Sequence, residues 1–172
     1  MIQLRQFDAG DYELLISWVD SKDALMQFAG PGFTFPLTKE QLDKSLSDPN
    51  RFAFAVMDAN SNIAIGYAEV YLTVQSAYLG RILIGDKELR VQGRGKEIVT
   101  LILDFVFLKT DKWLAELNVF DWNETAIRCY ERVGFTINPD KRLERKVNGQ
   151  IWTALNMTLD KTQWALSAKT QG

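Results

Sequence analysis

The chain has 172 residues, of which 47% are hydrophobic and 24% charged, and its net charge is −2. This composition is typical of one globular domain, and the acidic balance implies no general nucleic-acid-binding surface. With no histidine and the single cysteine Cys129, the chain excludes an internal disulfide, a zinc site and a Ser–His or Cys–His nucleophile. Because the first residues do not resemble a signal peptide and no apolar run reaches membrane-spanning length, we expect a cytoplasmic protein that binds no membrane.

The first part of the chain is predicted to form a strand followed by helices. Alternating apolar residues from Ile2 to Phe7 predict the strand. Asp8 is the expected N-cap of the first helix, with Asp11 three residues later. Residues Lys22–Phe28 predict a second short helix.

A loop is predicted from Ala29 to Pro36 by its glycine and proline content. It carries two aromatic residues, Phe33 and Phe35, which loops rarely expose to water. They favour either a wall of a substrate site or a loop held over the core by its aromatic rings. Thr38–Gln41 then forms a capping box that begins another helix.

Six further strands are predicted by alternation and by turns such as Asn148-Gly149. They cover residues 52–57, 63–74, 78–84, 113–119, 142–147 and 150–159. A helix joins the strand at 78–84 to the strand at 113–119, so these two strands should be parallel. The predicted order is β-α-α-β-β-β-α-β-α-β-β, an α/β (α+β) fold with a single mixed sheet of about seven strands. We expect residues 1–160 to form the domain and 161–172 a tail that is either partly disordered or a loose helix.

The segment from Leu89 to Leu108 carries the first signal for a ligand. It opens with two glycines among basic and amide side chains, namely Arg90, Gln92, Gly93, Arg94, Gly95 and Lys96, and continues as an apolar helix. Unpaired amides and the dipole at a helix N-terminus suit a phosphate or pyrophosphate. The loop alone is equally compatible with a turn that only begins a helix. It matches neither a P-loop nor a dinucleotide fingerprint, because Glu97 and Ile98 stand where those motifs need Ser or Thr and Gly.

A second motif follows the strand at 113–119. Its pattern is V-x-x-x-N-x-x-A-x-x-x-Y-x-x-x-G-F, formed by Val119, Asn123, Ala126, Tyr130, Gly134 and Phe135. Together with R-x-x-G-x-G from Arg90 to Gly95, it resembles the GNAT superfamily of N-acetyltransferases. The resemblance covers nearly the whole chain and favours the branch that includes ribosomal-protein alanine and spermidine acetyltransferases.

The resemblance implies acetyl-CoA as co-substrate, transfer of its acetyl group directly to a primary amine, and no metal. It implies that the strands at 78–84 and 113–119 splay apart and that the pantetheine arm pairs with the first of them. The pyrophosphate is expected on the amides that follow, and Asn123 on the pantetheine. The implied cofactor-binding residues are Ile82, Leu83, Ile84, Arg90, Gln92, Gly93, Arg94, Gly95, Lys96 and Asn123.

Tyr130 and Glu69 are the candidate catalytic residues. A phenol is protonated at neutral pH, so Tyr130 can protonate a departing thiolate; the alternative is a tyrosine of the core. Glu69 is an acid in an apolar, aromatic strand and is the candidate base, directly or through water. The alternative is that Glu69 faces solvent or pairs with a cation.

Phe33, Tyr67 and Tyr71 are expected to line the acceptor site. The acceptor is expected to be a small-molecule amine or a protein N-terminus, and the protein a monomer or homodimer. A second hypothesis is a non-catalytic acyl-CoA-binding or sensing domain, against which the presence of both motifs argues. A nucleotide-binding regulatory domain is disfavoured by the incomplete phosphate motifs.

Overall fold

The computed structural model of the protein describes residues 1–90 and 92–170. Its strands are β1 (Ile2–Gln6), β2 (Arg51–Asp58), β3 (Ile63–Leu72), β4 (Ala77–Ile84), β5 (Leu114–Phe120), β6 (Thr136–Val147) and β7 (Gln150–Asp160). Its α-helices are α1 (Tyr12–Trp18), α2 (Lys22–Ala29), α3 (Lys39–Leu46), α4 (Lys87–Arg90), α5 (Arg94–Lys109), α6 (Glu124–Val133) and α7 (Lys161–Thr170). The strands form one sheet in the order β1-β2-β3-β4-β5-β7-β6.

The predicted α/β fold with a single mixed sheet of seven strands is confirmed. The structure differs from the predicted order in its helices. The three segments predicted to be helical between β1 and β2 all form helices, one more than the predicted order counts, and a one-turn helix α4 precedes α5. The C-terminal segment forms α7, which agrees with the helix that was one of the two expectations for it. Helix α4 is too short to show a helical period, and α7 lacks a clean apolar face, since Leu166 is 61% exposed. None of the described helices is both long and apolar enough to cross a membrane.

The contacts divide the chain into two compact units, and the first comprises Met1–Tyr71 and Gly80–Arg94. Here β1 pairs with β2 and β2 with β3, both antiparallel. The core lies between these strands and the first three helices, and Leu15, Leu42 and Tyr67 are almost wholly buried in it. Burying each such side chain stabilises the fold by about 1.5–3 kcal/mol.

The helix caps of this unit follow the sequence, with two local changes. Asp8 and Asp11 form the predicted capping box, but it caps a 3₁₀ turn that leads into α1. Thr38 accepts a hydrogen bond from the Gln41 amide at 3.3 Å and so caps α3. The Gln41 side chain does not return to Thr38. It binds the preceding loop instead, accepting from the Thr34 amide at 2.8 Å and donating to the Pro36 carbonyl at 3.0 Å.

The second unit comprises Leu72–Leu79 and the chain from Gly95 onward. The start of β4 pairs with β5 in the predicted parallel direction, at Ala77 with Ala115 and Tyr78 with Glu116. Strand β7 pairs antiparallel with both β5 and β6. The fully buried side chains of the unit come from α5, β5 and β7 and include Ile98, Ile102, Leu103, Leu117 and Met157.

Two turns of this unit match their predictions. Asn148 and Gly149 have φ values of +50° and +78° and connect β6 to β7. Gly134 has φ +119° and ends α6, where its amide donates to the Tyr130 carbonyl. Both turns need a backbone conformation that glycine and asparagine adopt at low cost, which explains why the sequence revealed them.

Candidate functional site

The glycine-rich loop lies immediately before α5. Gln92 and Gly93 are exposed, and Gly93 has φ +73°, a left-handed conformation in which a side chain would be strained. Apart from Gly93 and its two chain neighbours, no described residue has an atom within 4 Å of the position that a Cβ of Gly93 would take. Because α5 has sixteen residues, its first amides and the positive end of its dipole lie at this open turn.

Basic side chains surround the turn. Arg94 and Lys96 lie in the first turn of α5, with Lys96 exposed and Arg94 partly buried. Arg90 donates from Nε to the Ile84 carbonyl at 2.7 Å and so ties the loop to the end of β4. Its two terminal nitrogens have no protein partner among the described residues. The electrostatics of the loop therefore favour an anionic ligand.

Gly95 brings α5 close to α6. A Cβ at Gly95 would lie 3.4 Å from Cys129 Sγ, tighter than the usual spacing of such atoms allows without some adjustment. Burial raises the pKa of the Cys129 thiol, which is typical of a structural cysteine. The glycine-rich loop and the second motif, predicted separately, thus meet at Gly95 and Cys129.

Residues 82–84 of β4 are half-buried, and β3 approaches their main chain closely. A Cβ at Gly66 would lie 2.5 Å from the Leu83 carbonyl oxygen, so only glycine fits at this position of β3. The Gly85 amide donates to the Ile65 carbonyl at 2.9 Å just beyond the strand. The backbone that the family resemblance assigns to the pantetheine is therefore held by β3 on one side.

Arg81 interrupts the regular backbone of β4. Its φ is +49°, a left-handed conformation that costs a non-glycine residue about 1–3 kcal/mol. Contacts with three residues hold the Arg81 side chain in place. Its Nη1 donates to Ser45 Oγ at 2.8 Å and to Glu69 Oε1 at 3.1 Å, and its guanidinium lies 3.9 Å from the centroid of the Phe33 ring.

Glu69 is buried within the first unit, with 2% of its surface exposed. Its Oε1 accepts from the Tyr67 hydroxyl at 2.5 Å and from Arg81, and its Oε2 accepts from Arg51 Nη1 at 2.6 Å. A general base must come within hydrogen-bonding distance of the proton that it removes. Glu69 is thus paired with cations, as the alternative interpretation of the sequence expected. Its role as the general base stays a prediction, and this geometry does not favour it.

The three predicted acceptor-binding side chains differ in exposure. Tyr67 is 1% exposed and packs edge-on against Phe7, with ring centroids 4.6 Å apart. Phe33 is 7% exposed and belongs to the same core, so neither ring offers appreciable surface to a ligand. Tyr71 is half-buried and lies under the Arg51 guanidinium, 4.9 Å from its ring centroid. Of the aromatic pair in the loop, Phe33 therefore supports the core-packing interpretation, whereas Phe35 is 37% exposed.

Asn123 and Tyr130 lie at the two ends of α6. Asn123 is the N-cap, and its Oδ1 accepts from the Ala126 amide at 3.3 Å. The Tyr130 ring lies edge-on to Phe135, with centroids 6.0 Å apart. Burial raises the pKa of the Tyr130 phenol, and the neighbouring Cys129 adds to the rise. Within the described part of the chain, the Tyr130 hydroxyl makes no hydrogen bond.

The second unit contains a polar cluster that the sequence did not predict. It is centred on Glu116 of β5, whose Oε2 accepts from Ser76 Oγ at 2.5 Å and whose Oε1 accepts from Tyr78 Oη at 3.2 Å. Lys141 Nζ contacts Tyr78 Oη and lies 3.4 Å from Glu116 Oε1. Asn156, fully buried on β7, donates to Glu116 at 3.4 Å. We refer to Ser76, Tyr78, Glu116, Lys141 and Asn156 as the Glu116 cluster.

The sequence pattern of the family described as acetyltransferase (GNAT) domain matches residues 2–136. The chain belongs to this family. The predicted resemblance is therefore confirmed at the level of the family and of its fold.

One relative of this GNAT chain is the SPbeta prophage-derived uncharacterized N-acetyltransferase YokL of Bacillus subtilis (strain 168), which is 28% identical over 98 residues. The match covers 56% of this chain and 52% of the relative, so the chain spans about half the length of the curated relative.

The fold is similar to that of solved N-acetyltransferases. Spermidine N-acetyltransferase from Vibrio cholerae in complex with CoA and spermine has a TM-score of 0.79 at 22% identity, covering 95% of this chain and 98% of the other. The aminoglycoside acetyltransferase AAC(6')-Ib in complex with coenzyme A and kanamycin has a TM-score of 0.77 at 18% identity, covering 98% and 99%. At these identities the similarity establishes the fold.

Three residues of interest lie outside both GNAT motifs. Glu116 gave the same signal as Glu69, an acid in an otherwise apolar strand, and could have been found on that ground. Arg81 gave no signal, because a left-handed backbone at arginine has no sequence marker. Lys141 gave no signal in the sequence either, because its position depends on how β6 pairs with β7.

Proposed function

We propose that the chain is an acetyl-CoA-dependent N-acetyltransferase that transfers an acetyl group to a primary amine of a small molecule or of a protein N-terminus. The observation that carries the proposal is the approach of α5 to α6, where a Cβ at Gly95 would lie 3.4 Å from Cys129 Sγ. Gly95, the last residue of the first motif, thus packs against the helix that carries the proposed catalytic tyrosine, and both lie in the second unit. Membership of the GNAT family supports the same activity.

The residues around the glycine-rich loop fit the anionic end of acetyl-CoA. Gly93 leaves open space, and Arg90, Arg94 and Lys96 supply positive charge. We assign the pyrophosphate to the loop residues Arg90, Gln92, Gly93, Arg94, Gly95 and Lys96. We assign the pantetheine to the main chain of Ile82, Leu83 and Ile84 and to the Asn123 side chain, whose Nδ2 makes no hydrogen bond to any residue that the structure describes. When bound, acetyl-CoA supplies the acetyl group as a thioester.

Tyr130 is the proposed general acid. The amine forms a bond to the carbonyl carbon, the carbon–sulfur bond breaks, and Tyr130 Oη donates its proton to the departing sulfur. The proton that the nitrogen loses then returns the phenolate to its neutral form, so that the net products are the amide and the thiol. Because burial raises its pKa, the phenol stays protonated at neutral pH and keeps this proton until it is needed. Its hydroxyl is not engaged by any described side chain, so it is free to point at a ligand.

The buried position of Glu69 leads us to propose a supporting role for it. Glu69 holds Arg51 and Arg81, and through Arg81 it holds the irregular part of β4 and the ring of Phe33. Tyr67 supports Glu69 in turn, and Tyr71 remains the proposed acceptor contact. A cytoplasmic location and a monomeric or homodimeric state are expectations from the sequence and belong to the same proposal.

The first experiment measures acetyl-CoA binding by calorimetry and then thiol release with a panel of amines. We expect binding, followed by turnover with one class of amine. Tyr130→Phe should lower kcat by about 10²–10⁴-fold, since it removes a general acid, while acetyl-CoA affinity is unchanged.

The matched control is Tyr12→Phe, which removes a hydroxyl bound to Asp43 in the first unit and should leave kcat unchanged. Absence of acetyl-CoA binding would refute the cofactor assignment. Binding without turnover on any amine would favour the sensing domain, and a Tyr130→Phe variant as active as the parent would remove Tyr130 from the mechanism.

A further inference from the structure

Strand β6 contains an insertion that places Lys141. Asn138 pairs with Asn156 of β7, and the next pair is Arg142 with Leu155. Residues 139–141 therefore lie between two consecutive partners and bulge from the ladder. The Asp140 amide donates to Asn138 Oδ1 at 3.1 Å and closes the bulge. Bulges of this kind change the direction of a side chain, and here the side chain is a lysine.

The bulge brings the Lys141 ammonium to Glu116. Lys141 Nζ lies 3.4 Å from Glu116 Oε1, contacts the Tyr78 hydroxyl, and lies 4.8 Å from the centroid of the Tyr78 ring. A carboxylate attracts an ammonium through charge-assisted hydrogen bonds, and the face of an aromatic ring attracts it as well. The lysine side chain is itself an alkylammonium, so its contacts show that this position can hold a group of that kind.

The lysine is also the more accessible member of the pair. The Lys141 side chain is 37% exposed and that of Glu116 is 12% exposed. Glu116 is held from within by Ser76 at 2.5 Å and by the buried Asn156 at 3.4 Å, neither of which carries a charge. Lys141 therefore supplies the only full positive charge on Glu116 among the described residues, and it is held by a flexible stem rather than by the core.

We propose that Glu116 binds an ammonium group of the acceptor and that Lys141 occupies this position when no acceptor is present. The inference rests on the proposed acetyl transfer. The amine that attacks must be uncharged, so an ammonium bound by Glu116 is a second cationic group of the same acceptor. The structure thus assigns an acceptor class, amines that carry at least one further ammonium, and it makes Lys141 a tethered competitor.

The test compares two acceptors of equal length, 1,5-diaminopentane and pentylamine. Glu116→Gln should raise the KM for the diamine by about tenfold or more, because it removes a hydrogen bond between charged groups. The rise in KM for pentylamine should be much smaller than the rise for the diamine, because pentylamine has no second ammonium for Glu116 to bind. Lys141→Met should shift the KM for the diamine in the opposite direction, since it removes the competing cation.

Asp111→Asn provides the control, because Asp111 is 86% exposed and its ion pair with Lys112 lies in the same unit. It should alter neither KM. Equal effects of Glu116→Gln on the two acceptors, or a Lys141→Met variant that also weakens the diamine, would overturn the inference and indicate a structural ion pair. Either result leaves acetyl-CoA binding and thiol release intact, so the proposed function is judged separately.

Calorimetry with 1,5-diaminopentane gives a second measurement that does not depend on turnover. The parent protein should bind the diamine more tightly than Glu116→Gln and less tightly than Lys141→Met. If Glu116→Gln fails to fold, the inference is tested by comparing the diamine affinities of the parent and Lys141→Met. This variant should fold, because Lys141 is partly exposed and its replacement leaves the contacts of Glu116 with Ser76 and Asn156 in place. Identical affinities in the parent and Lys141→Met would then reject the inference.

Discussion

Glu69 and Glu116 are strand carboxylates of the two compact units, and their partners differ in charge and in mobility. Glu69 is bound by two guanidinium groups and a buried phenol, with 3% of its side chain exposed. Glu116 is bound by a serine, a tyrosine, a buried amide and one partly exposed lysine. Two singly charged guanidinium groups enclose the first carboxylate, whereas the one charged partner of the second among the described residues is a lysine on a flexible stem.

We expect this difference to separate a structural carboxylate, Glu69, from the proposed ligand-binding carboxylate, Glu116. A planar guanidinium held by several contacts loses little freedom when it binds, so the pairs of Glu69 are expected to persist. A lysine side chain has more freedom to move away from its carboxylate, and another ammonium group can then take its place. The same residue type in the same kind of strand therefore supports different roles in the two units.

The largest effect is expected from Glu69→Ala. It leaves Arg51 and Arg81 without their carboxylate in a buried site, and breaking a buried pair in this way costs about 3–5 kcal/mol. Urea denaturation gives the loss as a change in the free energy of unfolding. Glu13→Ala, which breaks an exposed pair with Lys39, should cost far less stability. If the two variants lose equal stability, the description of Glu69 as a closed, structural carboxylate is wrong.

A smaller and directly matched effect is expected from two tyrosines. Tyr67→Phe removes a donor from a buried carboxylate and should cost about 1–3 kcal/mol. Tyr78→Phe removes a donor from Glu116 but leaves its other partners, and should cost less than about 1 kcal/mol. Thermal or urea unfolding of both variants measures the difference, and a larger loss for Tyr78→Phe would reverse the comparison.

The smallest effect is expected on the stability of the fold at acidic pH, through the carboxyl group of Glu116. Burial pushes the pKa of Glu116 upward, but the hydrogen bond from Ser76 and the charge of Lys141 outweigh it, so the pKa lies below its ordinary value of 4.5. A carboxyl group with a lowered pKa stabilises the fold above the unfolded value and loses that contribution as the pH falls through the folded value.

The parent should therefore lose free energy of unfolding below pH 4.5 more steeply than Glu116→Gln, by less than about 1 kcal/mol. Urea unfolding curves at several acidic pH values test this. Parallel curves for the two proteins would show that the ionised form of Glu116 is not favoured by the fold.

Local chemistry made much of the fold predictable. Alternation located the strands, and the turn residues Asn148, Gly149 and Gly134 marked backbone conformations that few other residues adopt. The parallel direction of β4 and β5 followed from the helix between them. The short α4 was missed because it shows no clear helical period, and for the same reason α7 was predicted only as one of two alternatives.

The candidate site was predictable only where its signal is local. Gly93, Gly95 and the N-cap Asn123 belong to short motifs that can be found in the sequence. The partners of Glu69 could not be found in this way, because Arg51 and Arg81 come from two other strands. The period of a strand placed Tyr67 and Glu69 on one face but could not show that this face lies in the core.

The bulge of β6 also has a consequence for how such a protein can change. On the β7 side the pairing passes from Asn156 to Leu155 without a gap. A chain lacking residues 139–141 would therefore keep the remaining pairs of the hairpin and lose only Lys141 from the Glu116 cluster. If Lys141 competes with the acceptor as proposed, insertion or deletion at this one point of the hairpin would shift acceptor preference with no substitution in any strand.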